Sequence, residues 1–177
     1  MDLEQLKYPI GTFAAPTTIT PDLLAAWIAD IAAFPEKLKE EVSPLNEQQL
    51  NCTYRPGGWS IRQVVHHCAD SHMNSVIRFK LALTEEVPTI KPYKEDQWAQ
   101  LSDAQMPVAS SLQLLDALHS RWVNLLNNLT EQELTRCYYH PEQQKEIDLR
   151  TTIGLYAWHS NHHLAHVKQA KRQHSLA

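Results

Sequence analysis

Glycine is scarce in this chain, with four occurrences in 177 residues. No segment of any length alternates strictly between apolar and polar residues, which is the pattern of half-buried strands. Several long segments instead repeat apolar residues at intervals of three and four, and this spacing is typical of amphipathic helices. The sequence therefore predicts an all-α fold.

Cysteine is also rare. Cys52, Cys68 and Cys137 are widely spaced and form no CxxC pair. Three isolated cysteines suggest neither a disulfide framework nor a cysteine-based zinc site. We interpret them as thiols in a reducing cytosol.

Long apolar runs and strong charge are missing as well. No run approaches the ~20 residues of a membrane span, and the first residues lack the basic and apolar segments of a secretion signal. A net charge of -4 without a basic cluster argues against a nucleic-acid partner. We expect a cytoplasmic protein with a small-molecule partner, no nucleic acid and no membrane. Residues 1–177 should form a single domain, with 1–19 as an extended arm.

Apolar periodicity predicts four long helices. The first begins at Thr20-Pro21, a capping residue followed by a proline suited to the first helical position, and Pro35 should bend or shorten it. Prolines make 84–111 a long connection between the second and third helices, and such connections often cover a site. Four helices of this length fit a four-helix bundle. The predicted helices span about 20–38, 60–83, 110–129 and 150–173.

The best candidates for metal ligands lie near the C-terminus, where four of the ten histidines fall within residues 159–166. His159 and His163 are four residues apart, so they share a helix face and can offer nitrogens to one metal ion. The pair His162 and His166 has the same spacing but lies nearer the edge of the apolar face. Periodicity favours the first pair without rejecting the second.

A catalytic metal needs a third protein ligand, and the second helix offers two candidates. His72 lies at the centre of the apolar face, as a ligand or as a core histidine bonded to a carbonyl. His67 lies on a polar stripe with Ser71, Asn74 and Arg78, which is either a solvated face or a cavity lining. The pattern leaves the third ligand undecided between His67 and His72.

A long composite motif runs through the chain. Its segments are YRPGGWSIRQVVHH at 54–67, ADSHMNS at 69–75, IRFKL at 77–81, KPY at 91–93, YHP at 139–141, LYAWH at 155–159 and HHLAH at 162–166. Together they resemble the YfiT-type metal-dependent hydrolases of the DinB-like superfamily. The resemblance extends over nearly the whole chain, from Tyr8 onward.

The resemblance implies a DinB-type four-helix bundle with one divalent metal per subunit, and it also suggests a homodimer. The positions that match the family's three histidine ligands are His67, His159 and His163. The polar stripe then becomes the wall of an open cavity around the metal. His162 and His166 become candidates to orient a ligand or a substrate.

Three neutral imidazoles would leave the ion its full charge, which lowers the pKa of a bound water from ~15.7 toward ~7. Zinc is the first choice and nickel the second, because imidazole suits both. We therefore expect a hydrolase acting on a small molecule. Arg78 would anchor an anionic group, with Ser71 or Asn74 as hydrogen-bond donors.

Two other functions stay open. DinB-like proteins include transferases that use bacillithiol, mycothiol or glutathione, and the same site would activate the thiol of such a cosubstrate for transfer to an electrophile. A metal-binding stress-response module without turnover is the second alternative, because the sequence places no general base beside the ligands.

Overall fold

The computed structural model describes residues 2–176, and most of them are helical. Two short strands accompany the helices. The elements are α1 Leu3–Lys7, α2 Pro21–Val42, α3 Glu47–Leu50, α4 Ile61–Thr84, α5 Glu95–Trp98, a 3₁₀ turn Ser102–Gln105, α6 Ala109–Asn127, α7 Glu131–Leu134, β1 Cys137–His140, β2 Lys145–Asp148 and α8 Leu149–Gln173.

The four long helices α2, α4, α6 and α8 form the predicted bundle. Helix α2 packs against α8 and α6, and α4 packs against the same two helices, so α2 and α4 lie on opposite corners. Apolar side chains of all four fill the interior, and Trp122, Phe34 and Phe79 are the largest of those that are completely buried. Helices α4 and α8, which carry the candidate ligands, are therefore neighbours.

Helix α2 begins as the sequence predicts, because Thr20 Oγ1 accepts a hydrogen bond from the Leu23 amide at 3.2 Å and Pro21 occupies the first turn. It does not end near residue 38, however, and continues through Pro35 to Val42. Phe34 and Leu38 on either side of the proline are buried in the core. Packing of this face outweighs the one hydrogen bond that proline removes, so the predicted shortening is wrong.

The connection between α4 and α6 is long, as predicted, and it contains only α5 and the 3₁₀ turn. The later segment before α8 holds a β-hairpin that the sequence did not predict, in which Cys137 pairs with Asp148 and His140 with Lys145. The connection is attached to this hairpin, since the Ile90 amide donates to the Tyr139 carbonyl at 3.1 Å. Strands of four residues are too short to leave a clear alternation in the sequence.

The N-terminal arm is not extended throughout, because residues 3–7 form the helix α1. Two side chains of α8 hold the arm against the bundle. Gln169 Nε2 donates to the Leu6 carbonyl at 2.9 Å, and Trp158 Nε1 donates to the Gly11 carbonyl at 3.1 Å. The arm therefore lies beside the helix that carries the histidine cluster.

None of the helices within residues 2–176 combines the length and apolar character needed to cross a membrane.

Candidate metal centre

Local capping fixes where α4 and α8 begin, and thus where their histidines lie. Ser60 Oγ accepts from the Gln63 amide at 3.2 Å, and Gln63 Oε1 accepts from the Ser60 amide at 3.0 Å. Asp148 Oδ1 accepts from the Thr151 amide at 2.8 Å at the start of α8. These bonds satisfy amides that a helix leaves free in its first turn.

Three histidines converge where α4 meets α8. The Nε2 atoms of His67 and His159 are 3.3 Å apart, and His163 lies against both rings. One nitrogen from each of the three lies within 4.8 Å of the others. The structure thus brings together the two histidines favoured on α8 and one of the two candidates on α4.

All three imidazoles are neutral at neutral pH. Burial lowers the pKa of His67 to about 3. Burial, with the neighbouring imidazoles adding to its effect, also holds the pKa of His159 and of His163 well below the usual value. Each ring therefore keeps one nitrogen lone pair, which is the state that a metal ligand requires.

The arrangement fits a divalent cation. Two nitrogens bound to one tetrahedral zinc at ~2.0–2.1 Å lie ~3.3 Å apart. The separation of 3.3 Å between His67 Nε2 and His159 Nε2 agrees with this value. Three imidazoles also suit zinc and nickel better than the oxygen-preferring calcium or magnesium.

His162, His163 and His166 form a second group of histidines that could hold a metal ion. The nitrogens of His166, however, already contact other groups of the protein. His166 Nε2 lies 2.9 Å from the Lys7 carbonyl, and its Nδ1 lies 3.4 Å from His163 Nδ1. Both nitrogens of His166 are therefore used within the protein. His162 stacks on Trp158 with ring centroids 4.4 Å apart.

His72 is fully buried next to the trio, where it contacts two other histidines. Its Nε2 lies 3.1 Å from His159 Nδ1, and its Nδ1 lies 2.7 Å from His119 Nε2. His119 Nδ1 in turn lies 2.7 Å from the carbonyl of Ile31. The core histidine bonded to a carbonyl is therefore His119, whereas His72 joins it to His159.

His119 was not predicted as a site residue, although the sequence contains a signal for it. On α6 it occupies the position between Leu115 and Trp122, both completely buried. A histidine within such an apolar stripe must find hydrogen-bond partners in the core.

One cavity is lined by all three histidines, and a second cavity meets it at His159, Glu95 and Asp96. The first, of about 420 Å³, is lined by aromatic side chains and by Arg55. The second, of about 640 Å³, extends from His159 toward the hairpin. Among the residues that line the second cavity are Ser71, Arg78, Tyr93, His140 and Tyr156.

Two of the three predicted substrate residues reach this second cavity. Ser71 Oγ lies 3.4 Å from His159 Nε2, and Arg78 lies among the lining residues toward the hairpin. Asn74 does not line either cavity, and its Nδ2 donates to the Asp70 carbonyl one turn earlier at 2.9 Å. A helical spacing of seven from His67 is not enough to turn Asn74 toward the opening, so the structure gives no support to its predicted role.

Tyr93 and His140 line the second cavity, although no role was predicted for either from the sequence. Both lie in segments of the composite motif, at 91–93 and 139–141. Burial raises the pKa of Tyr93, so its hydroxyl stays protonated at neutral pH. The connection and the hairpin thus supply the wall that faces α4 and α8.

Comparison with known proteins shows the family of this chain. The family model described as DinB superfamily matches residues 30–167. Proteins of Bacillus cereus strain B4264 and Bacillus mycoides strain KBAB4, which bear the provisional name of metal-dependent hydrolase, are 50% identical over 171 residues, covering 97% of this chain and 98% of theirs.

A solved structure is also similar over almost the whole chain. YfiT from Bacillus subtilis, described as a probable metal-dependent hydrolase with an unusual four-helix bundle topology, superposes with a TM-score of 0.95 at 46% identity. The match covers 98% of this chain and 99% of YfiT. The resemblance found in the sequence is confirmed, and the chain belongs to the DinB superfamily as a YfiT-type member.

Proposed function

We propose that this protein is a metal-dependent hydrolase of small molecules, with one divalent ion held by His67, His159 and His163. The observation that carries the proposal is the convergence of three neutral imidazoles on one cavity, which meets a second cavity at His159. The name given to its Bacillus relatives supports the same activity. Zinc is the first choice of ion and nickel the second.

An ion held by neutral imidazoles keeps its full charge and lowers the pKa of a bound water from ~15.7 toward ~7, which supplies a nucleophile at neutral pH. The protein's part is to bind and orient the substrate beside the trio. Ser71 Oγ, at 3.4 Å from His159 Nε2, is close enough to donate a hydrogen bond to the group being hydrolysed. Tyr93 offers a second protonated hydroxyl in the same cavity.

Arg78 would bind the far end of the substrate. Within residues 2–176 its guanidinium makes neither a salt bridge nor a hydrogen bond with another side chain. It lies near His140, whose pKa is lowered by burial and then by the charge of Arg78. A carboxylate or phosphate of the substrate would fit this end of the second cavity.

Glu95 is our candidate for a proton acceptor. It lines both cavities, and burial raises the pKa of its carboxyl group. A carboxylate with a raised pKa exchanges protons more readily near neutral pH, as general acid–base catalysis requires.

Elemental analysis of protein purified without chelators tests the metal site. The wild type should contain one equivalent of metal per chain, and His67→Ala, His159→Ala and His163→Ala should each lose it. His162→Ala is the matched control, since His162 adjoins the trio without belonging to it. A His67→Ala variant that keeps its full metal content would refute the proposed ligand set.

The two cavities also favour a second candidate, a thiol S-transferase. One cavity could hold a low-molecular-weight thiol and the other an electrophile, with His159 between them. The thiolate sulfur would form a bond to carbon while a halide leaves. Incubating metal-loaded protein with a thiol panel and an alkyl halide separates the two functions, because a hydrolase forms no thiol-dependent adduct.

The remaining alternative is a metal-binding module without turnover. If the protein with one equivalent of metal bound showed no activity in ester, amide and thiol-transfer assays, this alternative would be favoured over both enzymatic functions.

The expected homodimer also stays a prediction, which sedimentation equilibrium of the metal-loaded protein would check.

A further inference from the structure

Two chains of hydrogen bonds lead from the candidate ligands of α8 to backbone carbonyls. The first runs from His159 through His72 and His119 to the carbonyl of Ile31, with nitrogen separations of 3.1 and 2.7 Å and a final step of 2.7 Å. The second runs from His163 through His166 to the carbonyl of Lys7, with steps of 3.4 and 2.9 Å. We refer to them as the Ile31 relay and the Lys7 relay.

The direction of every hydrogen bond in the Ile31 relay follows from its last member. A carbonyl oxygen only accepts, so the hydrogen of His119 must be on Nδ1. A neutral imidazole has one N–H and one lone pair, so His119 Nε2 accepts from His72 Nδ1. His72 Nε2 must then accept from His159 Nδ1, which leaves the lone pair of His159 on Nε2.

The Lys7 relay leads to the same result by a different route. His166 donates from Nε2 to the Lys7 carbonyl, so its Nδ1 has the lone pair and accepts from His163 Nδ1. His163 therefore also keeps its lone pair on Nε2. His159 and His163 end in the same tautomer, although His119 and His166 contact their carbonyls through opposite nitrogens.

We infer that His72, His119 and His166 are positioning residues, which hold His159 and His163 in the tautomer that presents an unprotonated Nε2 to the metal. The assignment rests on the proposed metal site but not on hydrolysis. Burial keeps the relays intact, since His72, His119 and His166 are each at most 2% exposed. Water therefore has little access to compete for these hydrogen bonds.

Among residues 2–176 no such relay leads from His67. Within residues 2–176 its hydrogen bonding is confined to the contact between its Nε2 and that of His159, and its ring lies against Trp59 with the ring centroids 4.6 Å apart. In the metal-free protein His67 can donate from Nε2 to the lone pair of His159. The two relays thus prepare the ligands of α8, whereas no such relay within the described residues fixes the tautomer of His67.

The direct test is the tautomer of each ring in metal-free wild-type protein, measured by long-range ¹H–¹⁵N correlation with ¹⁵N-labelled histidine. We expect the proton on Nδ1 in His72, His119, His159 and His163, and on Nε2 in His166. A proton on Nε2 of His159 and His163 would overturn the inference. This measurement needs no variant and no turnover.

A pair of variants at position 72 tests the effect on metal binding. His72→Phe removes both hydrogen bonds, whereas His72→Gln offers an oxygen that accepts from His159 and an amide that donates to His119. Loss of such an outer partner lowers metal affinity ~10–100-fold. We expect a loss of this size in His72→Phe and recovery of most of it in His72→Gln, measured by competition with a chromophoric chelator.

The outcomes separate the inference from the proposed function. Equal zinc affinity in wild type, His72→Phe and His72→Gln would overturn the positioning role even if the enzyme hydrolyses esters. A wild type that binds no metal would refute the proposed function, while the tautomers in the metal-free protein would still decide whether the relays have the stated direction. Circular dichroism and thermal melting establish that each variant is folded.

Discussion

Gly154 of α8 lies directly against the ring of Trp27 on α2. A Cβ atom placed at Gly154 would lie 2.7 Å from two ring carbons of Trp27, closer than packed atoms approach. This contact allows the two helices to come together beside the buried Ile153 and Ile31. The absence of a side chain at residue 154 therefore sets the distance between α2 and the helix that carries two candidate ligands.

Gly154→Ala should destabilise the protein although alanine is the better helix former. The overlap with Trp27 costs about 1–3 kcal/mol, against a gain of ~1 kcal/mol in helix propensity. We expect a net loss of about 1 kcal/mol in the free energy of unfolding, measured by urea denaturation of metal-free protein.

The control is the same substitution in a Trp27→Leu background, where the ring is gone. There Gly154→Ala should be neutral or stabilising, because only the propensity gain remains. An equal loss in both backgrounds would show that the contact with Trp27 is not the cause.

Arg78→Gln should weaken hydrolysis of anionic substrates selectively. A charge-assisted hydrogen bond contributes ~1.5–3 kcal/mol, so kcat/KM for an ester with a carboxylate should fall about 10–100-fold. The neutral methyl analogue of that ester should be hydrolysed as by the wild type. Arg121→Gln, an exposed arginine on α6, is the matched control, and an equal effect of both variants would remove Arg78 from the substrate site.

Asp70→Asn should stabilise the protein at neutral pH but not in acid. Burial, followed by the charge of Asp103, raises the pKa of the Asp70 carboxyl group to about 6. The folded state then binds the proton more tightly than the unfolded state, so stability falls as pH rises from ~4 to ~6 and stays low above that range. Because the side chain is only half-buried, we expect a gain of about 1 kcal/mol at pH 7.5.

Urea denaturation at pH 7.5 and pH 4 checks this prediction. The gain should disappear at pH 4, where the aspartate is protonated in the folded state. Glu40→Gln, which neutralises an exposed carboxylate, should show no such difference between the two pH values. A gain for Asp70→Asn that is the same at both pH values would contradict the raised pKa.

Gln169→Leu should release the N-terminal arm. Gln169 Nε2 donates to the carbonyls of Leu6 and Tyr54, both at 2.9 Å. Only the bond to Leu6 holds the arm, so its loss at ~1 kcal/mol should raise the population of the open arm about 5-fold. Trypsin cleavage after Lys7 should accelerate by a similar factor, whereas Gln173→Leu at the exposed end of α8 should leave the rate unchanged.

Periodicity and capping were sufficient to predict the bundle. The second and fourth predicted helices agree with α4 and α8 within a residue or two, since both begin at a capping side chain. The hairpin at 137–148 was not predicted because its strands are only four residues long and leave no clear alternation of apolar and polar residues. The predicted shortening of the first helix at Pro35 was wrong because the helix-breaking rule for proline does not take account of the buried Phe34 and Leu38 on either side of it.

The site was predictable where its members share one helix. A helical wheel is sufficient to place His159 and His163 together, but it contains no distance between helices. His119 and His72 are 47 positions apart and meet only through tertiary packing. For the same reason the wheel did not distinguish His67 from His72 as the third ligand. In the structure His67 Nε2 lies beside His159 Nε2, whereas His72 Nε2 lies beside His159 Nδ1.

Each relay ends at a main-chain oxygen, and this makes it resistant to point mutation at that end. Replacing Ile31 or Lys7 by another residue changes the side chain but leaves the carbonyl that accepts the hydrogen bond. Only a shift of the backbone, in α2 or in the arm, would remove it. The shape of the chain, rather than the identity of two residues, thus decides which nitrogen of His159 and of His163 is free.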